Sequence, residues 1–110
     1  GESKHGPISL IEPGVPVVFV VPRDASRKTI IGNVMEMKAR GASILSVLEE
    51  GDEEVKELSD EFIEMSSGVH PLLSSMVYVV PLQLFAYHMS VERGLDPDKP
   101  RNLAKSVTVT

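Results

Sequence analysis

Five consecutive apolar residues at positions 17–21, of which four are valine, set the strongest limit on the fold. Pro16 stands before the run and Pro22 after it, so both ends carry residues that cannot donate a backbone hydrogen bond. A short, wholly apolar run rich in β-branched residues is typical of a strand that is buried on both faces, as in a parallel sheet. We therefore expect a parallel sheet that is covered by helices.

A helix is predicted directly after this strand. Asp24 and Ser26 are residue types that cap helix N-termini, and apolar residues then recur at helical spacing. Arg40 and Gly41 supply a basic last turn and a glycine stop, so the helix should end there. The next segment, residues 42–48, is again mostly apolar and predicts a second buried strand.

The rest of the chain repeats this alternation. Residues 49–60 form an acidic connection with room for one helical turn, and residues 62–65 predict a third, shorter strand nearer the sheet edge. Residues 71–93 are apolar enough for one long helix buried over most of its circumference, with a kink at Pro81. Serine, proline, glutamine and histidine interrupt this stretch, so it does not match a membrane span of about 20 apolar residues. We expect a soluble chain.

The order strand, helix, strand, strand, helix predicts an α/β fold with three layers, α/β/α, and a mostly parallel sheet. Three strands are fewer than such sheets usually contain, so the sheet is expected to be incomplete. Further strands must come from preceding sequence, or another chain must cover the open edge. We assign residues 1–95 to half of such a domain and residues 96–110 to an extended C-terminal tail.

The charge balance argues against nucleic acid binding. Eleven Lys and Arg residues against sixteen Asp and Glu residues give a net charge of −5. Arg27 and Lys28 form the only adjacent basic pair, so the sequence lacks the concentrated positive charge that displaces counterions from phosphates. The first residue is glycine and no charged-then-apolar leader is present, which suggests a cut boundary.

Residue usage also limits the chemistry. The chain has no cysteine, which excludes disulfides and thiolate catalysis and fits a reducing, cytoplasmic compartment. His5, His70 and His88 are not spaced as metal ligands, and we read His70 as a helix-start residue and His88 as a hydrogen-bonded core or interface residue. The acidic run at 49–57 is read as a solvated loop, with Mg²⁺ binding left open on composition alone. We expect no metal, no cofactor, and neither nucleic acid nor membrane as a partner.

Three segments carry a family resemblance. One is Gly1-Glu2-Ser3-Lys4-His5-Gly6-Pro7, and another is the tail sequence Pro-Arg-Asn-Leu-Ala-Lys-Ser-Val-Thr-Val at residues 100–109. The tail is similar to the terminal segment of the glucosamine-6-phosphate synthase family (glutamine:fructose-6-phosphate aminotransferase, isomerising). Residues 80–88, Val-Pro-Leu-Gln-Leu-Phe-Ala-Tyr-His, resemble the last long helix of that family. The order and spacing match the end of the second sugar isomerase (SIS) domain, a flavodoxin-like α/β/α fold, over essentially the whole chain.

The resemblance implies an isomerisation coupled to amination. In the family, fructose 6-phosphate binds between SIS domains, and ammonia from a separate glutaminase domain ends up on the sugar as glucosamine 6-phosphate. The residue that matches the Schiff-base lysine is Lys105. His5 matches a histidine that assists ring opening and reaches the active site of the partner subunit, so a homodimer is implied. Ala104 and Glu2 are expected near the bound sugar.

These residue types suit that chemistry. A lysine amine attacks a carbonyl only when it is deprotonated, and burial or a nearby cation favours that form. The sparsely charged neighbours of Lys105 are compatible with a sheltered pocket. Imidazole transfers protons near neutral pH, which suits His5 for ring opening.

The chain departs from the family pattern in several places. Ser3 stands where the family usually has an apolar residue, and Thr110 replaces a common glutamate. The family's proton-transferring glutamate, its phosphate-binding loops and its glutaminase cysteine are not in this sequence, so we expect the chain alone to be inactive. Two alternatives stay open: a non-catalytic SIS domain that binds phosphosugars as a sensor, and a dimerisation module. Lys105 separates them from an enzyme, because a sensor needs no carbonyl-reactive lysine.

Overall fold

The sheet is parallel throughout, as the sequence pattern predicts. The computed structural model describes residues 1–103. The sheet has three strands, β1 (Pro16–Val21), β2 (Ser43–Glu49) and β3 (Glu61–Met65), in the order β1-β2-β3. The register pairs Val17 with Ile44 and Val47 with Ile63. The predicted position of the third strand at an edge of the sheet is confirmed.

The prediction that the first strand is buried on both faces is wrong for the described residues. β1 is the other edge of the sheet and pairs only with β2. Val21 is fully buried, whereas Val18 is 39% exposed. The apolar residues of β1 predict burial on both faces of the sheet. The described part of the chain covers only one of these faces.

Two helices connect the strands and build the core. α1 (Arg27–Lys38) links β1 to β2, and α2 (Glu53–Leu58) links β2 to β3, so the acidic connection holds a short helix as predicted. The core consists of two clusters of buried apolar side chains from these elements. One cluster contains Val21, Ile31, Leu48 and Val55, and the other contains Val34, Met37, Ala42 and Ile44.

The bounds of α1 lie close to the predicted signals, but the Ser26 side chain at the N-cap position makes no capping hydrogen bond. The side chain of Asp24 accepts a hydrogen bond from the N–H of Ser26, which lies at the N-cap position. Gly41 has φ +90 and donates its N–H to the carbonyl of Lys38. This left-handed residue reverses the chain direction between the helix and β2, which glycine does at the lowest cost.

A long helix, α3 (Ser74–Glu92), follows a short 3-10 helix, Pro71–Leu73, at whose start the His70 ring nitrogen accepts the N–H of Leu72. The chain divides into two compact units at this helix, Gly1–Tyr78 and Val79–Thr110. The helix contains Pro81 in its interior, as predicted.

The prediction that α3 is mostly buried is wrong for the described residues. His88 is exposed, so the core alternative of its prediction is wrong there, and the interface alternative stays a prediction. Large apolar side chains are exposed along the helix: Met76, Val79, Val80, Leu84, Phe85, Tyr87, Met89 and Val91. The number of apolar residues in a helix indicates how much of its surface could be buried. The described residues do not pack against most of this apolar surface of α3. Contrary to the expectation from its polar interruptions, Pro71–Glu92 is long and apolar enough to cross a membrane by length and composition, although one such helix is weak evidence of a span.

Candidate functional site

The predicted ring-opening histidine lies on a short N-terminal helix. Glu2 and His5 occupy the two ends of a 3-10 helix, Glu2–His5, in which no residue is buried. Gly6 then separates it from a second 3-10 helix, Pro7–Leu10. Glu2 and His5 are both exposed, so the structure brings these two predicted residues onto one small element that faces solvent.

An ion pair joins this N-terminal helix to α1. Lys4 Nζ lies 2.8 Å from Glu36 Oε1, and the two residues are 32 positions apart in the sequence. The hydrogen bond from Lys4, with the charges of Lys4 and Arg40, holds the pKa of Glu36 below its ordinary value. The Glu36 carboxylate is therefore charged at neutral pH, and its partner Lys4 directly precedes His5.

Charged side chains also gather at the carboxyl ends of β1 and β2, where ligands bind in open α/β sheets. Arg27 donates two hydrogen bonds to Asp52, from Nε at 2.8 Å and from Nη2 at 2.6 Å. Asp52 is only 1% exposed and also accepts the N–H of Val55 at the start of α2. The bonds from Arg27 lower the pKa of the Asp52 carboxyl and raise the pKa of the guanidinium. Because each charge is neutralised by the other, this pair holds the two connections together.

Tyr78 is the residue at this edge that the sequence analysis missed. It is 3% exposed, and its hydroxyl has no hydrogen-bond partner among the described residues. Burial raises the pKa of the Tyr78 phenol, and the nearby carboxylates of Glu49 and Asp24 raise it further. A tyrosine within a long apolar run gives no sequence signal that would set it apart from core packing.

Two cavities adjoin Tyr78. The smaller, of about 10 Å³, is lined by Arg23, Asp24 and Glu49 among others and has room for about one water. The larger, of about 260 Å³, lies against Val20 and has mixed apolar and serine walls. This volume is below the range of about 300–1,000 Å³ that is typical of ligand pockets.

The C-terminal unit holds a third cavity, of about 450 Å³, between the end of α3 and the segment that follows it. Gly94, with φ +68, ends the helix, and Leu95 donates its N–H to the carbonyl of Ser90. The cavity wall includes Lys99 and Arg101. Lys105 and Ala104 lie outside the described residues, as do the valines of the tail, so their predicted roles stay predictions.

The described residues contain no group of three or more His, Asp or Glu side chains placed to hold a metal ion. In the acidic run, Asp52 is turned toward Arg27. The Glu53 side chain accepts a hydrogen bond from Lys56 instead. These two carboxylates are thus already paired with positively charged side chains of the same chain.

Comparisons with known proteins give consistent results. The family model described as SIS domain matches residues 1–93. The chain is 51% identical over 109 residues to glutamine–fructose-6-phosphate aminotransferase (isomerizing) of Methanothermobacter thermautotrophicus, covering 99% of this chain and 18% of the relative. The protein of the same name from Thermococcus kodakarensis is 55% identical over 109 residues, with the same coverage. The chain thus spans about a fifth of the length of the curated relatives that it matches.

A solved structure agrees. The C-terminal domain of glucosamine-fructose-6-phosphate aminotransferase from Francisella tularensis superimposes with a TM-score of 0.76 at 34% identity, covering 90% of this chain and 28% of that one. The predicted α/β fold and the resemblance to the C-terminal part of this aminotransferase family are confirmed. The parallel sheet with its connecting helices and the match over residues 1–93 together show that the chain belongs to the SIS domain family.

Proposed function

We propose that this chain is the C-terminal part of the isomerase portion of an enzyme that converts fructose 6-phosphate and glutamine to glucosamine 6-phosphate and glutamate. The observation that carries the proposal is the 51% identity over 109 residues to a protein named for that activity. The enzyme acts as a cytoplasmic homodimer. Residues 1–95 supply half of an SIS domain, and residues 96–110 form the tail that carries the reactive lysine.

In this proposal Lys105 is the nucleophile. Its neutral amine adds to the carbonyl carbon of open-chain fructose 6-phosphate, and loss of water leaves an imine. His5 assists ring opening by moving a proton between the anomeric hydroxyl and the ring oxygen. Its exposed position supports a role toward a substrate held by another part of the protein or by the partner subunit. Glu2 and Ala104 adjoin the sugar.

The proposal assigns the remaining machinery to parts outside this chain. An upstream SIS region supplies the proton-transferring glutamate and the phosphate-binding loops, and an upstream glutaminase domain supplies ammonia. The open edge of β1 and the exposed apolar side chains of α3 support such partners, because an apolar surface of this extent is normally covered. The chain by itself is inactive.

Borohydride trapping tests the proposal. The longer polypeptide that carries this chain is incubated with fructose 6-phosphate and borohydride, which reduces the imine to a stable secondary amine. Peptide mass spectrometry should locate the adduct on Lys105, and Lys105→Arg should abolish it. His5→Ala should slow trapping of the cyclic sugar while leaving the lysine reactive toward an acyclic ketose phosphate.

Reversible sugar binding without an adduct overturns the catalytic role of Lys105 and favours a phosphosugar sensor. Absence of both binding and trapping leaves a dimerisation module. The 110-residue chain, tested in parallel, should give no adduct, because the phosphate-binding loops are not part of it.

A further inference from the structure

We propose that Glu36 is a positioning residue for His5 and acts through Lys4. The inference rests on the proposed function, because it assigns Glu36 to the same sugar site. The supporting observations are the looseness of the N-terminal 3-10 helix, the firm anchorage of Glu36, and the single ion pair that connects them.

The helix that carries His5 is weakly held by its own contacts. It has four residues, none of them buried, and its N-cap makes no side-chain hydrogen bond. Gly6 follows directly, with φ +156 and ψ −56, and a Cβ built there would meet nothing within 4 Å. The Gly6 carbonyl is held by the N–H and the hydroxyl of Ser9, so the freedom that glycine allows lies at its φ, on the side of His5.

Glu36 provides a fixed point for this segment. It lies on α1 next to Met37, which belongs to the buried core, and the Arg40 guanidinium donates to its carbonyl at 2.7 Å. Among the side-chain hydrogen bonds of the described residues, the one from Lys4 to Glu36 is the bond that connects the N-terminal 3-10 helix to α1. The pair therefore fixes the helix one residue away from His5.

The pair contributes to orientation more than to stability. The side chains of Lys4 and Glu36 are 47% and 41% exposed, and ion pairs this exposed add little to the free energy of unfolding. Catalysis is far more sensitive to position, since a displacement of about 1 Å can cost up to about 100-fold in rate. A tether of modest strength is thus sufficient to affect proton transfer by His5 and insufficient to affect folding.

Charge reversal in the longer polypeptide tests this inference. Lys4→Glu and Glu36→Lys are each expected to lower kcat for the isomerisation of cyclic fructose 6-phosphate about two- to fivefold at low salt, the range of a weak surface pair. KM for fructose 6-phosphate should change less than kcat, because neither residue is assigned to sugar binding. The double variant K4E/E36K should recover most of the wild-type kcat. Glu57→Gln, an exposed glutamate on α2, is the matched control and should leave kcat unchanged.

A second measurement separates this inference from the proposed function. In the 110-residue chain, the heteronuclear NOE of the His5 backbone amide should fall in Glu36→Gln and stay unchanged in Glu57→Gln, whether or not the protein binds sugar. An unchanged NOE in Glu36→Gln overturns the inference even if borohydride trapping on Lys105 succeeds. A lower NOE with unchanged kcat in all charge variants also overturns it. Failure of trapping in the wild type, with the NOE change intact, instead counts against the catalytic assignment.

Discussion

At the scale of single residues, Asp52 performs two structural tasks at once. Its carboxylate caps α2 by accepting the N–H of Val55, and it receives both hydrogen bonds from Arg27 while almost fully buried. Removing one partner of a buried pair leaves the other charge uncompensated, which costs more than loss of a surface pair. Asp52 therefore links the connection after β1 to the connection after β2.

We expect Asp52→Asn to lower the free energy of unfolding by about 1.5–3 kcal/mol, the range for hydrogen bonds to charged groups. Asparagine still caps a helix, so the substitution isolates the loss of charge. Glu54→Gln is the matched control, because Glu54 also accepts from Arg27 but is 62% exposed, and its effect should be much smaller. Urea unfolding followed by circular dichroism measures both. Equal losses of unfolding free energy in the two variants would show that the burial of Asp52 does not strengthen its interaction with Arg27.

The lowered pKa of Asp52 also predicts that the free energy of unfolding depends on pH. Because the pKa of the Asp52 carboxyl is lowered in the fold, its contribution is present above the unfolded pKa of about 3.9 and is lost as the pH falls through the folded value. The difference in unfolding free energy between the wild type and Asp52→Asn should therefore be constant near neutral pH. It should shrink below about pH 4. A difference that grows on acidification would contradict this assignment.

At the scale of elements, the junction between α1 and β2 depends on Gly41. Its φ of +90 is rarely adopted by other residues, and a Cβ at this position would lie 3.0 Å from the Cα of Pro13. The N–H of Gly14 donates to the Gly41 carbonyl at 2.8 Å, so the loop before β1 packs directly on this turn. A side chain at position 41 would therefore strain the backbone and also crowd the Cα of Pro13.

Gly41→Ala is expected to lower the free energy of unfolding by about 1–3 kcal/mol, the usual cost of a strained backbone position. Gly51→Ala is the control, because φ is +77 there but a Cβ would meet nothing within 4 Å. The difference between the two variants in urea unfolding reports the contact with Pro13. If Gly51→Ala is the more destabilising change, the contact is not the cause.

The elements themselves were predictable because their signals are local. The signals are proline at both ends of β1, Asp24 and Ser26 before α1, and Gly41 after it, and each stands within a few residues of a boundary. Burial was not predictable in the same way, since it depends on what covers a surface: the apolar runs of β1 and α3 predicted burial that the described residues do not provide. The pairs Arg27–Asp52 and Lys4–Glu36 were missed because their members stand 25 and 32 residues apart. In the sequence each member looks like a surface charge.

At the scale of the whole molecule, the described residues leave the apolar side chains of α3 exposed and one edge of β1 unpaired. Monomeric proteins rarely expose large contiguous apolar patches, and an unpaired strand edge favours association. Both features fit a chain that matches only 18% of the length of its relatives. The hydroxyl of Tyr78, which has no partner in the described part of the chain, supports the same inference, since a buried polar group without a partner is costly.

Substitution of Tyr78 should change the free energy of unfolding in opposite directions in the 110-residue chain and in the longer polypeptide. In the 110-residue chain, Tyr78→Phe removes a buried hydroxyl that has no partner among residues 1–103 and should raise the free energy of unfolding by about 1 kcal/mol. In the longer polypeptide, where we expect the hydroxyl to gain a partner, the same substitution should be destabilising. Tyr87→Phe is the control, because Tyr87 is exposed and its change should be close to neutral in both. Stabilisation in both proteins would show that the hydroxyl stays unpaired.

The covering of α3 can be tested directly by replacing Met76 and Leu84, both exposed on that helix, with glutamine. If their apolar surface is covered only in the longer polypeptide, M76Q/L84Q should leave the melting temperature of the 110-residue chain unchanged and reduce its tendency to associate in light scattering. In the longer polypeptide the same pair should lower the melting temperature, because burying two amides without partners is unfavourable. Leu10→Gln, at an exposed leucine of the N-terminal segment, controls for the general effect of a polar substitution. An unchanged melting temperature in both proteins would mean that α3 stays exposed to water in the longer polypeptide as well. The apolar run from Pro71 to Glu92 would then have to be covered by something other than that polypeptide.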